Sequence, residues 1–312
     1  MNDKKNLVAE HYDGSAATYH LQYERDLLSD LNSDYPANFF RLHLLLNSFI
    51  ENEVKRVVEI GVGEGTPLVN LAKAGMEVAG CDISNSMVDA CRANFESHKL
   101  SSKNIIFADI QDPTSYAPLL GEGKFDALLA MGVMPHVRND EFVLRNMRTM
   151  VKDGGKVFIE FRNKLFSLFT FNRHTHDFIL DDLLANVSPV LKAAVAKDLK
   201  SRLAMDLPKP KLSGPSSAPK DRDAADGVPG YDAILSKFHN PFEILEQFKA
   251  VGFKDARLLW YHYHPAMPYL EETDAALFRN EGLKLEHENS GWRGLFLCSA
   301  FVVEATKESS VD

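Results

Sequence analysis

Arg56-Val-Val-Glu-Ile60-Gly61-Val-Gly63-Glu-Gly65-Thr66 is the stretch whose reading decides the fold. An apolar run of strand length ends in three glycines at alternate positions, and Leu68, Leu71 and Ala72 then follow at helical spacing. A strand that turns through glycines into a helix lets a ligand lie against bare peptide groups, because no side chain blocks its approach.

Downstream the pattern repeats. Residues 76–81 read as a second strand ending at Asp82, and Ser84 reads as the N-cap of a helix that carries Met87, Val88, Cys91 and Phe95 on one face. Further strands are expected over residues 104–108 (ending at Asp109), 125–130 and 155–161, with a helix upstream over 38–50. Strands alternating with helices specify a parallel sheet covered on both faces, a doubly wound α/β fold. After the fifth strand the regularity stops. Residues 163–240 read as an insertion, helical near 180–203, with a flexible loop near 207–230 rich in Pro, Ser, Gly and charge. A helix over 241–251 and strands over 256–263 and 295–304 complete the pattern.

The glycines stand at 61, 63 and 65, whereas a dinucleotide fingerprint is G-x-G-x-x-G, and Thr66 occupies the place of its last glycine. By itself the turn is also what an ordinary strand-to-helix connection uses. Asp82 adds to it, since a carboxylate closing the second strand can accept hydrogen bonds from ribose hydroxyls. Asp109 ends its strand at the same edge, where open α/β sheets bind ligands.

Val58-Glu-Ile-Gly-Val-Gly-Glu-Gly-Thr66, Gly80-Cys-Asp-Ile-Ser84 and Phe107-Ala-Asp-Ile110 together resemble the successive cofactor motifs of class I S-adenosylmethionine-dependent methyltransferases. The resemblance implies a Rossmann-like, seven-stranded, mostly parallel sheet with an antiparallel last strand, to which the insertion adds an α-helical cap. It implies S-adenosylmethionine as cofactor, with Glu59 orienting the turn and the methionine portion, Asp82 on the ribose and Asp109 facing the adenine. Gly61, Gly63 and Gly65 form the turn, and Ile83, Met87, Ile110 and Met131 complete the expected set. His11-Tyr-Asp-Gly-Ser-Ala-Ala-Thr-Tyr19 is similar to an N-terminal segment that closes over the cofactor, which makes Tyr12 and Tyr19 lid candidates; packing of the N-terminal helices explains them equally well. The domain organisation expected is a helical lid over 1–50, the cofactor domain over 51–162 and 241–306, and a substrate cap over 163–240.

Methyl transfer is an in-line displacement, so the protein mainly aligns the acceptor and excludes water. A hydroxyl acceptor gains from a general base, and His136, in the loop after the fourth strand, is the catalytic candidate, because imidazole titrates near neutral pH. A structural or cofactor-contacting role is the alternative for it. Arg162 and Asn163, just past the fifth strand, and His239 are expected near the acceptor; tying down the insertion is their other reading. Arg41 could reach a carboxylate or phosphate, but an exposed helix arginine is the reading preferred. The pairs His174/His176 and His262/His264 invite a metal, yet no carboxylate or cysteine spacing completes a site, and none is expected.

The acceptor expected is an oxygen or nitrogen of a polar small molecule, a sugar or nucleotide sugar by the polar, aromatic character of the cap. A net charge of -9 argues against a nucleic-acid partner. Cys81, Cys91 and Cys298 fall in apolar stretches without paired spacing, so neither disulfides nor zinc is indicated. No stretch is long and apolar enough to span a membrane, and a cytoplasmic location is expected. Two other readings stand beside this one: an NAD(P)-dependent oxidoreductase on the same sheet, and a cofactor-binding regulatory module without turnover. Protein or nucleobase amide methylation is disfavoured, because Met134-Pro-His136 stands where an Asn-Pro-Pro-Tyr-like signature belongs. The oligomeric state is not legible.

Overall fold

The computed structural model describes residues 3–15, 35–203 and 236–309. Its centre is a seven-stranded sheet in the order β3-β2-β1-β4-β5-β7-β6. The strands are β1 (Arg56–Ile60), β2 (Glu77–Asp82), β3 (Ile105–Phe107), β4 (Phe125–Ala130), β5 (Val151–Arg162), β6 (Phe253–Tyr263) and β7 (Cys298–Lys307). β1 to β5 pair in parallel, and β7 lies antiparallel between β5 and β6. Every residue of β1 is buried, as befits a central strand covered on both faces. The chain steps outward from β1 to β2 and β3, then returns to place β4 on the other side of β1. That reversal opens a crevice beyond the carboxyl ends of β1 and β4.

The helices α1 (Asp3–Ser15), α2 (Ala37–Glu51), α3 (Thr66–Lys73) and α4 (Asn85–Ser97) surround this first half. α2 buries Leu42, Leu45 and Phe49, and Phe49 meets Phe158 of β5 edge-on at 4.9 Å between ring centroids. Burying side chains of this size contributes about 1.5–3 kcal/mol each. Ser84 caps α4 by accepting from the Met87 amide at 3.1 Å.

Several boundaries differ from expectation, β6 among them, which begins at Phe253 rather than 256. β5 begins at Val151, directly after the helix Asp140–Met150, and its pairing with β4 shifts between Phe125 and Ala127. Gly155 lies at this irregularity, where a Cβ would fall 2.8 Å from the Lys152 carbonyl. β7 begins at Cys298 rather than 295, because Gly294–Leu297 forms a helical turn whose first residue sits on the Trp260 ring; a Cβ on Gly294 would come within 2.1 Å of it. In the insertion, the helical stretch is a π-turn at Phe178–Leu183 followed by the helix Pro189–Leu203. The loop expected near 207–230 lies outside the described residues, as does Tyr19. No helix among the described residues is long and apolar enough to cross a membrane.

Candidate active site

Gly61, Gly63 and Gly65 adopt φ of 74°, 53° and 85°, the left-handed region that favours glycine. At Gly61 the requirement is also spatial, since a Cβ there would stand 2.6 Å from Val133 Cγ2 in the loop after β4. The turn is held from the next strand. The Gly63 amide donates to Asp82 Oδ2 at 3.0 Å and the Ser84 amide to Oδ1 at 2.9 Å. Each oxygen retains a lone pair for a further donor. Burial pushes the Asp82 carboxyl up, opposed by the amides of Ser84 and Gly63. Gly80, the first residue of the second motif, has a spatial reason to be glycine: a Cβ on it would lie 2.3 Å from Val62 Cγ1, so only glycine lets the turn settle against β2.

Glu64 was unremarked in the sequence, and it is buried at the mouth of α3. Its carboxylate accepts from the Thr66 amide (3.1 Å), the Thr66 hydroxyl (2.8 Å) and the Asn94 side-chain amide (2.9 Å). The N-terminus of α3, where a dinucleotide fold receives a pyrophosphate, is thus filled by the chain's own anion.

A cavity opens over the carboxyl ends of β1, β2 and β4. Glu59, Gly61, Gly63, Asp82, Ile83, Met87, Asp109, Ile110, Met131 and His136 line it, joined by Val8 and Tyr12 of α1, Arg41 of α2, and Gly132, Val133, Val137 and Arg138 of the loop after β4. Gly65 does not line it; it packs behind the turn, where a Cβ would meet Cys91 Sγ at 2.4 Å. Glu59 is 2% exposed, its Oε2 has no hydrogen-bond partner, and burial raises its carboxyl well above the usual range against the pull of Arg41. An orphaned carboxylate oxygen beside a cavity fits a positively charged ligand group, as the ammonium and sulfonium of S-adenosylmethionine would supply.

Arg41 corrects an expectation. It is buried, and its Nη1 lies 2.5 Å from Glu160 Oε2, which also accepts from the Gly132 amide at 3.1 Å. Spacings of four, seven and eight residues place it on the buried face of Leu45, Ser48 and Phe49, a signal that was present in the sequence.

His136 ends a short helical turn, Met134–His136. Its Nε2 is 3.1 Å from the Tyr12 hydroxyl, with the two rings edge-to-face. One residue on, the Asp13 carboxylate accepts from the Ser84 hydroxyl and, at 3.3 Å, from the Ser86 amide.

Arg162, Asn163 and His239 lie outside the cavity lining. The Asn163 amide donates to the carbonyls of Leu295 and Cys298, both at 2.8 Å, while its Oδ1 accepts from the Leu165 amide. Arg162 donates to Ser236 Oγ at 3.1 Å. His239 Nε2 stands 3.4 Å from Asp140 Oδ2, and Lys237 Nζ 2.5 Å from Oδ1. Burial works to raise the Asp140 carboxyl, but His239 and Lys237 outweigh it and hold it below the usual range.

The paired histidines of β6 pack against each other at 4.6 Å between centroids, with His262 Nδ1 2.9 Å from Ser299 Oγ. Burial lowers His264 to about 4 and His262 well below its ordinary value. Among the described residues no group of three or more His, Cys, Asp or Glu is arranged to hold a metal ion.

Comparison with known proteins gives one direction. Residues 58–159 match the family described as "Methyltransferase domain". The ubiquinone biosynthesis O-methyltransferase of Coxiella burnetii is 29% identical over 153 residues, 46% of this chain and 63% of that protein. The tRNA 5-carboxymethoxyuridine methyltransferase of Escherichia coli is 25% identical over 155 residues, 49% of this chain and 54% of that protein. The chain thus spans less than two thirds of the length of these relatives. Among solved structures, magnesium protoporphyrin IX methyltransferase from Synechocystis with bound SAH superposes with a TM-score of 0.54 at 14% identity, covering 98% of this chain and 100% of that one. This likeness concerns the fold.

Proposed function

We propose that the protein, whose residues 58–159 match the family described as "Methyltransferase domain", transfers a methyl group from S-adenosylmethionine to an oxygen of a small molecule, with His136 as general base. The observation that carries the reading is the convergence of Glu59, Asp82, Asp109 and His136, from three strand ends and the loop after β4, on one cavity. S-adenosylmethionine, when bound, supplies a methyl group already activated on a sulfonium. Asp82, fixed by two backbone amides, accepts the ribose hydroxyls; Asp109 faces the adenine; Glu59 and Arg41 sit toward the methionine portion. α1 covers the opening and keeps water from the reacting atoms. His136 takes the proton of the acceptor hydroxyl; a neutral amine acceptor would need alignment alone.

The lid over 1–50, the cofactor domain over 51–162 and 241–306 and the cap over 163–240 remain our reading of the organisation. A sugar or nucleotide sugar suits the polar cap, and Arg162, Asn163 and His239 would act there by shaping its floor. An oxidoreductase is disfavoured because Glu64 takes the pyrophosphate position at α3. A tRNA acceptor, suggested by one relative, sits poorly with a net charge of -9.

The test uses methyl-labelled S-adenosylmethionine with panels of phenols, sugars, nucleotide sugars and amines, and with bulk tRNA. Label in a hydroxyl-bearing small molecule supports the proposal. Label only in tRNA, or none in any panel while cofactor binds, overturns it in favour of a nucleic-acid enzyme or a regulatory module.

A further inference from the structure

Two buried carboxyl groups share the guanidinium of Arg41. Arg41 Nη1 pairs with Glu160 Oε2 of β5 at 2.5 Å, and that oxygen also accepts from the Gly132 amide at 3.1 Å. Glu59 of β1 lines the cavity with Arg41, but its Oε2 is buried and has no hydrogen-bond partner. Asp82 differs in kind, since two backbone amides already favour its ionised form. Burial raises the Glu59 carboxyl most; Arg41 pulls it down, and Glu64 in the turn and Asp82 on β2 push it up again. Cys81 of β2, Cys91 of α4 and Tyr261 of β6 bear on the same charges, and burial keeps all three protonated. Tyr12, Asp109, His136 and Arg138 are the remaining ionisable groups of the lining. One cation cannot match two buried carboxylates, and a carboxyl left unmatched away from water keeps its proton.

We propose that Glu59 is a neutral carboxylic acid in the free protein and gives up its proton to solvent when it pairs with the ammonium group of the cofactor, so that cofactor binding releases one proton. The inference rests on the methyltransferase reading above. The Glu59 O–H bond breaks, the proton passes to buffer, and the carboxylate that remains is matched by the positive charge the ligand brings. One positive charge enters the site as another leaves it. The sign follows by linkage: because the free protein holds the proton and the complex does not, affinity rises with pH, by up to about tenfold per unit, between the bound and free values of Glu59. A ligand with no ammonium group has no such dependence. Glu59 therefore selects for the amino-acid end of the cofactor, and does so more strongly as pH rises.

The experiment is calorimetric titration with S-adenosylhomocysteine in pairs of buffers that differ in ionisation enthalpy, from about pH 5.5 to 7, where the ligand's amino group stays protonated. The difference in heat between the paired buffers counts the protons released. The expected result for the wild type is a count that approaches one within this range, with affinity tightening by up to about tenfold per pH unit where it does. Glu59→Gln keeps the shape of the side chain and removes its proton. In that variant the count falls to near zero, and the affinity gap to the wild type narrows as pH falls, which a merely structural role for Glu59 would not produce. Should Glu59→Gln fail to fold, 5′-methylthioadenosine serves as the second probe on the wild type; it keeps the nucleoside and lacks the ammonium, and its binding releases no proton. S-adenosylhomocysteine binding without proton release, or a release that is the same in Glu59→Gln or with 5′-methylthioadenosine, overturns the proposal and leaves the methyltransferase reading standing. If S-adenosylhomocysteine does not bind, the methyltransferase reading falls and takes the inference with it.

Discussion

The carboxyl edge of the sheet is built in two opposite ways. Above β1, β2 and β4, buried carboxyl groups keep bonding capacity in hand: Asp82 is oriented by the amides of Gly63 and Ser84, and Glu59 has one oxygen unengaged. Above β5 and β6 most polar groups bond to one another, although His239 and His264 keep buried ring nitrogens without a hydrogen bond. Asn163 grips the chain before β7, Glu286 accepts from the amides of His262 and Tyr263, and segment 236–240 is pinned to both neighbouring loops by Lys237 N–H to the Pro135 carbonyl and His239 N–H to the Arg162 carbonyl. The first half is an opening that a ligand completes, and the second is a closed seam that supports it. Polar residues at a strand end therefore mean different things according to what their lone pairs already hold.

Substitutions on the open side should act on ligand and turnover. His136→Ala is expected to lower the methyl-transfer rate by about 10²–10⁴ while leaving S-adenosylhomocysteine affinity within about twofold. Steady-state rates and calorimetry check this; parallel losses would make His136 a cofactor contact. Asp82→Ala is expected to weaken S-adenosylhomocysteine by about 10- to 100-fold, since it removes a charged acceptor and frees two backbone donors. Unchanged affinity in that variant would erase the distinction between the two edges.

On the seam, Asn163→Ala is expected to reduce unfolding free energy by about 1–3 kcal/mol in urea titrations, because it leaves buried carbonyls and an amide unpaired. The folded fraction should still bind S-adenosylhomocysteine normally. A selective loss of acceptor turnover instead would move Asn163 to the open side.

Sequence alone made the open half legible because its determinants are local. Glycines at positive φ and acids at strand ends are forced by the turn itself, and Gly61, Gly63, Asp82 and Asp109 could be placed one by one. What it missed depends on partners far along the chain. Arg41 finds Glu160 119 residues away, and Tyr12 finds His136 at a separation of 124. Glu64 reads as a spacer between glycines until Asn94 and Thr66 are brought around it. The start of β7 was misplaced for the same reason. Residues 295–297 are apolar enough for a strand, but the packing of Gly294 on Trp260 and the grip of Asn163 hold them in a helical turn.

The seam also predicts a dependence of stability on pH. His264 is buried with its folded value at about 4 against an ordinary 6.5, so between these values the unfolded chain binds more protons. Its contribution is complete above pH 6.5 and is lost as pH falls toward 4, at up to about 1.4 kcal/mol per unit of difference. His262, lowered in the same direction, steepens the slope. Thermal midpoints measured from pH 7 to 5 should therefore fall, and fall less in His264→Asn; an equal slope in that variant would place the responsible protons elsewhere.

The central claim is that the glycine turn holds S-adenosylmethionine and not a dinucleotide, and calorimetric titration of the protein with S-adenosylhomocysteine and, separately, with NADH tests it most directly. Saturable micromolar-range binding of S-adenosylhomocysteine with no heat from NADH is the predicted result, in keeping with the Glu64 carboxylate at the head of α3. Binding of NADH without S-adenosylhomocysteine would contradict the account.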